Sequence, residues 1–535
     1  MSLDQTFARR SSGLVRAAST FDASLVNLYV ATFPIMVSFL LGIVLPWYPG
    51  ANLYLTLLIG FALALPILLS YAVASSVMRR SGGDYVFISR LIHPALGFAA
   101  NFVFVLFQVV FLTSAGYYFC RWCLAPLARI VGVETGSTGL LDLANTLTEP
   151  DAVFVVSEVF VLGFGALFVL RTTRSVLKIF RYTLPLSALG LLAFAVALLI
   201  HSKSGLQANF DAYVAGARGA DDAAAVAARS AADAGFSASP TFSWSATVLA
   251  ITWPAFSLPY YLGSAYFAGE VRSGKRAQLL AGPLTAVVAV VGSLVLVALS
   301  LGRLGPDFLG ATQAADYPVT MGIPGPPTYM EVVAGSSGNV VLGVLILIGF
   351  GSWLIPTVPM SLLIMTRCML GWSMDRVAPD ALSRVSTRTN SPYVAVLVVT
   401  AISAVVSWFW AYTTFFTVVV GAFAQVITLG LGCLAASLLP YRYPDQYETA
   451  PLRGRFARVP WLTWIGGLGA VAALLIVWNF ARDPFSGVNV DASPEMFWFS
   501  LAMFPLGVVL YYVAVGVRRA QGHDLSLAFR EIPPD

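Results

Sequence analysis

The sequence predicts an all-α polytopic membrane protein with twelve transmembrane helices, and three observations carry that expectation. Of its 535 residues 58% are hydrophobic and 11% charged, with a mean hydropathy of +0.80, whereas a soluble globule needs about a quarter charged residues. Apolar stretches recur, each near the roughly twenty residues that a helix needs to cross a hydrocarbon core of about 30 Å. Basic residues gather on alternate loops.

The stretches lie near 25–47, 53–77, 98–119, 152–170, 179–200, 245–268, 279–302, 339–366, 393–411, 414–439, 461–481 and 496–517. An even number puts both termini on one side. Only Arg121, Arg129, Lys203, Arg218, Arg229, Arg303 and Arg482, of 31 basic residues, fall on the other side, so the positive-inside rule places both termini in the cytoplasm of a multi-pass cell-membrane protein. The segments are then a cytoplasmic tail at 1–24, a core of ten helices at 25–439, two further helices at 440–517 and a cytoplasmic tail at 518–535. The tail holding Arg9, Arg10 and Arg16 lacks the apolar core of a cleaved leader.

The net charge of +5 reflects topology and contact with the bilayer; no basic groove interleaved with aromatics suggests nucleic acid. Four scattered cysteines read as ordinary thiols, including Cys120 and Cys123. Three outer segments are long, 120–151, 201–244 and 303–338, and the alanine-rich Val214 to Gly235 suits a short surface helix or a flexible cover. Trp47, Tyr48, Trp408, Trp410, Tyr412, Trp461 and Trp464 mark interfacial belts.

Two spans are interrupted. The sixth carries Pro254 and Pro259 in the run Trp253-Pro254-Ala255-Phe256-Ser257-Leu258-Pro259 and ends at Gly269-Glu270 before Arg272, Lys275 and Arg276; the first carries Ala31-Thr32-Phe33-Pro34-Ile35-Met36. Proline lacks an amide hydrogen and clashes with the preceding turn, so each helix must open or kink. Freed carbonyls in lipid are tolerated where they are buried in protein or line a wet cavity. A kink that only serves packing is the plainer reading, and it suits Pro66, Pro185, Pro356 and Pro359. Spans one and six, however, occupy corresponding positions if the chain is a five-plus-five inverted repeat followed by two helices, and paired breaks point to a transport site. Half-helix ends offer amides to a carboxylate and carbonyls to an ammonium. The expected substrate contacts are Thr32, Phe33, Pro34, Ile35, Met36, Trp253, Ala255, Phe256 and Ser257, with Phe33, Trp253 and Phe256 shaping the pocket.

Three motifs bring in a resemblance. Ser81-Gly82-Gly83-Asp84-Tyr85 with Arg90, His93, Pro94, Leu96, Gly97 and Phe98 resembles the loop between helices two and three of the amino acid, polyamine and organocation (APC) permeases. Gly269-Glu270-Val271 resembles the end of their sixth helix, and Thr366-Arg367 through Asp375-Arg376-Val377-Ala378-Pro379 to Ser391-Pro392 their loop after helix eight. The likeness spans roughly 20–440, and Gly13-Leu14-Val15-Arg16 with Phe21-Asp22-Ala23 suggests a prokaryotic branch. Where those permeases carry a glycine-rich break in helix one, this chain has Thr32-Phe33-Pro34-Ile35; where some hold a lysine in mid-helix five, Lys178 and Arg181 stand at its cytoplasmic start.

Few groups inside the spans ionise. Glu158, in span four, and Glu270, at the end of span six, are the carboxyls that could carry a coupling proton; Glu158 could equally stay neutral or reach the interface. Glu270 is expected either to close an inner gate through a basic partner or to neutralise Arg272. Ser352 and Thr357 flank an irregularity in span eight where the resemblance implies a sodium site. Asn101, Gln108 and Gln425 read as interhelical glue ahead of substrate contact. His93, His201 and His523 all lie near loops or tails, and no phosphate-cradling loop or metal-ligand cluster calls for a cofactor or a catalytic set. The leading expectation is a secondary transporter for a neutral amino acid or related amine, coupled to H+ or Na+ or exchanging. The alternatives are a membrane sensor or a membrane-embedded enzyme on the same fold; a channel fits paired breaks poorly.

Overall fold

The computed structural model describes residues 16, 18–237, 239–272, 276–315, 327–413, 415 and 418–529. Arg9, Arg10, Gly13 to Val15, Lys275 and Arg530 lie outside them. Among the described residues eleven helices are long and apolar enough to span a bilayer: Thr20–Trp47, Leu53–Val77, Pro94–Thr135, Pro150–Leu170, Thr173–Ile200, Ala277–Arg303, Val340–Met374, Tyr393–Tyr412, Val420–Arg442, Trp461–Arg482 and Pro494–Ala520. The remaining expected span, 245–268, is present as short pieces: helices Trp244–Leu249 and Thr252–Ala255, then single turns at Leu258–Tyr260, Gly263–Tyr266 and Ala268–Glu270. Counting that chain as span six, the spans are numbered one to twelve. The protein is thus an all-α polytopic membrane protein, with apolar side chains such as Val159, Leu192, Val405 and Leu474 exposed where lipid would lie.

Polar side chains start the spans. Ser19 and Asp22 form a reciprocal capping box on span one, Asn52 caps span two, Thr172 caps span five and Asn339 caps span eight. His93 accepts the Ala95 amide at 3.2 Å and precedes Pro94 at the first position of span three. Glycine sets one close crossing: Gly190 of span five faces Gly349 of span eight, where a Cβ on either would strike the other backbone.

Several boundaries differ from expectation. Span three continues past 119 through a π-helical turn at Cys120–Leu124 into Ala125–Thr135, because Arg129, Ile130 and Gly132 pack inward. Span eight runs on to Met374, bent where Pro356 separates Val340–Leu354 from Thr357–Met374. The alanine-rich stretch forms the helix Ala223–Asp233, its Ala223, Ala227 and Ala231 buried at a spacing of four. It packs with Lys203–Gly216, Pro306–Ala314 and Tyr329–Ser336 into a helical cap over one end of the bundle. There the buried Arg129 pairs with Glu331, which also accepts from Tyr213 at 2.7 Å. A two-stranded hairpin, Arg455–Phe456 with Val459–Pro460, leads into span eleven.

Candidate functional site

One residue breaks span one. Thr32 adopts left-handed backbone angles, φ 34° and ψ 66°, ending the helix Thr20–Ala31 and preceding Phe33–Phe39. That conformation is costly for a β-branched residue. Pro34 stands in the first turn of the second half, where its missing amide hydrogen costs nothing. Span six unwinds opposite, and Ser257 Oγ donates to the Ala31 carbonyl. A carbonyl freed at one break is therefore satisfied by a hydroxyl at the other, as lipid burial requires. Below the breaks Asn27 joins the same two spans, accepting from the Ser264 amide at 2.7 Å and donating to Ser264 Oγ at 3.1 Å.

Between the breaks lies a cavity of about 40 Å³. It is bounded by Ala31, Thr32, Ile35 and Phe39 of span one, Gln108, Phe111, Ser114 and Tyr118 of span three, Phe256, Ser257 and Tyr260 of span six, Leu354, Thr357 and Met360 of span eight and Gln425 of span ten. Among the described residues the lining holds neither an acid nor a basic side chain. Aromatic rings make much of the wall: Phe39 meets Phe256 edge-on at 5.2 Å and Tyr118 at 6.3 Å. Two buried polar atoms of lining residues, Thr357 Oγ1 and Gln425 Oε1, have no partner among the described residues.

The expected contacts divide. Thr32, Ile35, Phe256, Ser257 and Thr357 line the cavity. Thr32, Ile35 and Phe39 are three and four residues apart and share a face, which turns Phe33, Pro34 and Met36 elsewhere. Phe33 meets Trp353 edge-on at 5.0 Å and covers Gly292 of span seven; Pro34 borders a separate cleft with Ser187, Gly190 and Trp353; Met36 and Ala255 are buried in packing. Trp253 donates Nε1 to Tyr48 Oη at 2.9 Å. Of the three residues expected to shape the pocket, only Phe256 does.

The coupling candidates also separate. Ser352 engages Ser187 Oγ at 2.6 Å and Gly349 O at 2.5 Å, away from the cavity. Glu158 accepts from Ser407 of span nine and is not in the lining. Glu270 is gripped by Arg367 of span eight, Nε to Oε1 at 2.7 Å and Nη2 to Oε2 at 3.0 Å, with Thr173 accepting a further bond at 3.1 Å. Its expected neighbour Arg272 instead donates to Arg16 O at 2.7 Å. Three more clusters close this end of the bundle. Arg181 grips Asp22 at 2.7 and 2.8 Å, and Arg90 meets Asp375 at 2.5 Å. Asp84 accepts from Tyr266 at 2.7 Å and Asn101 at 2.5 Å; burial pushes its carboxyl up to about 6.

Gln108 and Gln425, read as glue, bond one another at 2.9 Å across spans three and ten and also line the cavity. An amide within an apolar run is the signal, and sequence alone cannot say which way it faces. The family model described as amino acid permease matches residues 24–510. No curated protein matches the chain.

Proposed function

The chain belongs to the amino acid permease family, and from that membership we propose that it is a secondary transporter carrying a neutral amino acid or related amine by alternating access. The observation that carries the reading is the meeting of two broken spans, Ser257 on Ala31, at a cavity whose lining has no acid or base. A charged substrate side chain would need a counter-charge there. The substrate's α-carboxylate and ammonium are assigned to the backbone groups of the breaks, and its side chain to the aromatic wall.

The basic loops support an orientation with both termini in the cytoplasm. The pairs Glu270–Arg367, Asp22–Arg181 and Arg90–Asp375 then close the cytoplasmic side, and the inward-open state requires them to part. We assign coupling to protons ahead of sodium. Sodium needs several oxygens, and of the two span-eight hydroxyls Ser352 is engaged with Ser187 and Gly349, which leaves Thr357. Glu270 is the carboxyl whose environment changes when the gate opens.

Uptake into proteoliposomes under imposed gradients tests the reading. Transport should follow a pH gradient and fall in Thr32→Ala, Phe256→Ala and Glu270→Gln. Uptake unchanged in the first two removes the site; uptake that follows sodium and ignores pH moves the coupling to Thr357.

A further inference from the structure

The cavity contains an amide oxygen that no described residue engages. Gln425 is fully buried and lines the cavity. Its Nε2 donates to Phe104 O at 3.1 Å and to Gln108 Oε1 at 2.9 Å. A backbone carbonyl can only accept, so Phe104 decides which end of the Gln425 amide is nitrogen. The other end, Oε1, is buried without a partner. Gln108 is held in turn, donating Nε2 to Ser361 Oγ of span eight at 2.9 Å, so the amide pair is clamped between spans three, eight and ten.

The surroundings sharpen what that oxygen can meet. Phe111 and Tyr260 share the lining with it, their ring centroids 6.3 Å apart. The Tyr260 hydroxyl gives its proton to Ala422 O at 2.8 Å and so has none left for a ligand. Thr357 Oγ1 is the other unpartnered polar atom of the lining. Gln425 belongs to the wall made by spans three and ten, whereas the backbone groups opened at the breaks belong to spans one and six. A buried acceptor without a donor is costly, and a site built around one discriminates strongly against a ligand that cannot donate.

Resting on the transporter reading, we propose that Gln425 is a specificity-determining residue and that the substrate is an amino acid whose side chain carries a hydrogen-bond donor, a hydroxyl or a carboxamide. Gln425 Oε1 accepts from that group; Phe111 and Tyr260 pack against its apolar stem.

The test uses the full chain in detergent or proteoliposomes and three near-isosteric pairs: threonine and valine, asparagine and leucine, glutamine and methionine. Ligand-induced thermal stabilisation and competition for uptake are read for each. The expected result is that in at least one pair the donor-bearing member acts at roughly tenfold or more lower concentration. Gln425→Met should bring that ratio towards one. Equal or better action by the apolar member in all three pairs overturns the proposal and leaves the transporter reading standing; this wild-type panel decides the matter even if the variant does not fold. A Gln425→Met variant that weakens both members equally also overturns it, because the amide would then be meeting the α-groups common to all amino acids. If none of the six stabilises the protein or competes, this inference is overturned, and uptake under imposed gradients decides the transporter reading separately.

Discussion

At the proposed cytoplasmic end Glu270 and Arg367 share two hydrogen bonds with both side chains buried. At the opposite end Trp253 reaches the buried Asp483 only through the Tyr48 hydroxyl, which sits 2.6 and 2.7 Å from the two carboxylate oxygens. The inner closure joins full opposite charges on spans six and eight; the outer one joins spans one, six and eleven through neutral donors on a single carboxyl. Burial raises the Asp483 carboxyl above its usual range, whereas the pair at the inner end brings its own counter-charge. A closure made of paired buried charges holds tightly and fails sharply when one partner goes. A chain of neutral hydrogen bonds can be remade stepwise.

The sharpest way to break this comparison is to remove one inner charge. Arg367→Met should destabilise the protein by about 3–5 kcal/mol, since it strands a buried carboxylate, and combining it with Glu270→Gln should recover part of the loss. Thermal unfolding of the two single variants and the double variant in detergent checks this; a double variant as unstable as the sum of the singles would show that the two groups do not act as a pair.

Asp84 offers a second, pH-dependent contrast at the same end. Its carboxyl is raised to about 6 by burial among Tyr266, Asn101, Tyr71 and Cys368, against about 4 in an unfolded chain. The folded state then binds more protons than the unfolded one across that interval, so this group's contribution to stability declines as pH rises from about 4 to about 6. Asp84→Asn should flatten the melting temperature over that window. A variant retaining the wild-type slope would assign it to another group.

Smaller effects belong to the outer end. Trp253→Phe deletes one donor to Tyr48 and should cost about 0.5–1.5 kcal/mol, with transport kinetics altered more than stability. The least effect is expected from Arg229→Ala, whose pair with Asp222 is solvent-exposed; exposed pairs contribute about 0–1 kcal/mol, so a loss above that range would point to a structural role for the outer cap.

Both closures stand on features that differ in how far they are legible along the chain. Eleven spans and their approximate bounds follow from runs of apolar residues, and the breaks in spans one and six follow from Thr32-Phe33-Pro34 and from Pro254 with Pro259, because hydropathy and proline sterics act within a few residues of where they are written. The motif around Gly269-Glu270 likewise marked the end of span six. Other features could be settled only by the packing of distant segments. That Thr32 and Ile35 face the cavity while Phe33 turns to Trp353 depends on the rotation of a half-helix set by its neighbours. That Glu270 takes Arg367 and not Arg272 depends on span eight arriving beside span six. Gln425 shows the limit most plainly: an amide in an apolar helix must find partners, so its burial against protein was foreseeable, but only the tertiary structure supplies the Phe104 carbonyl that turns its nitrogen away and leaves its oxygen for the cavity.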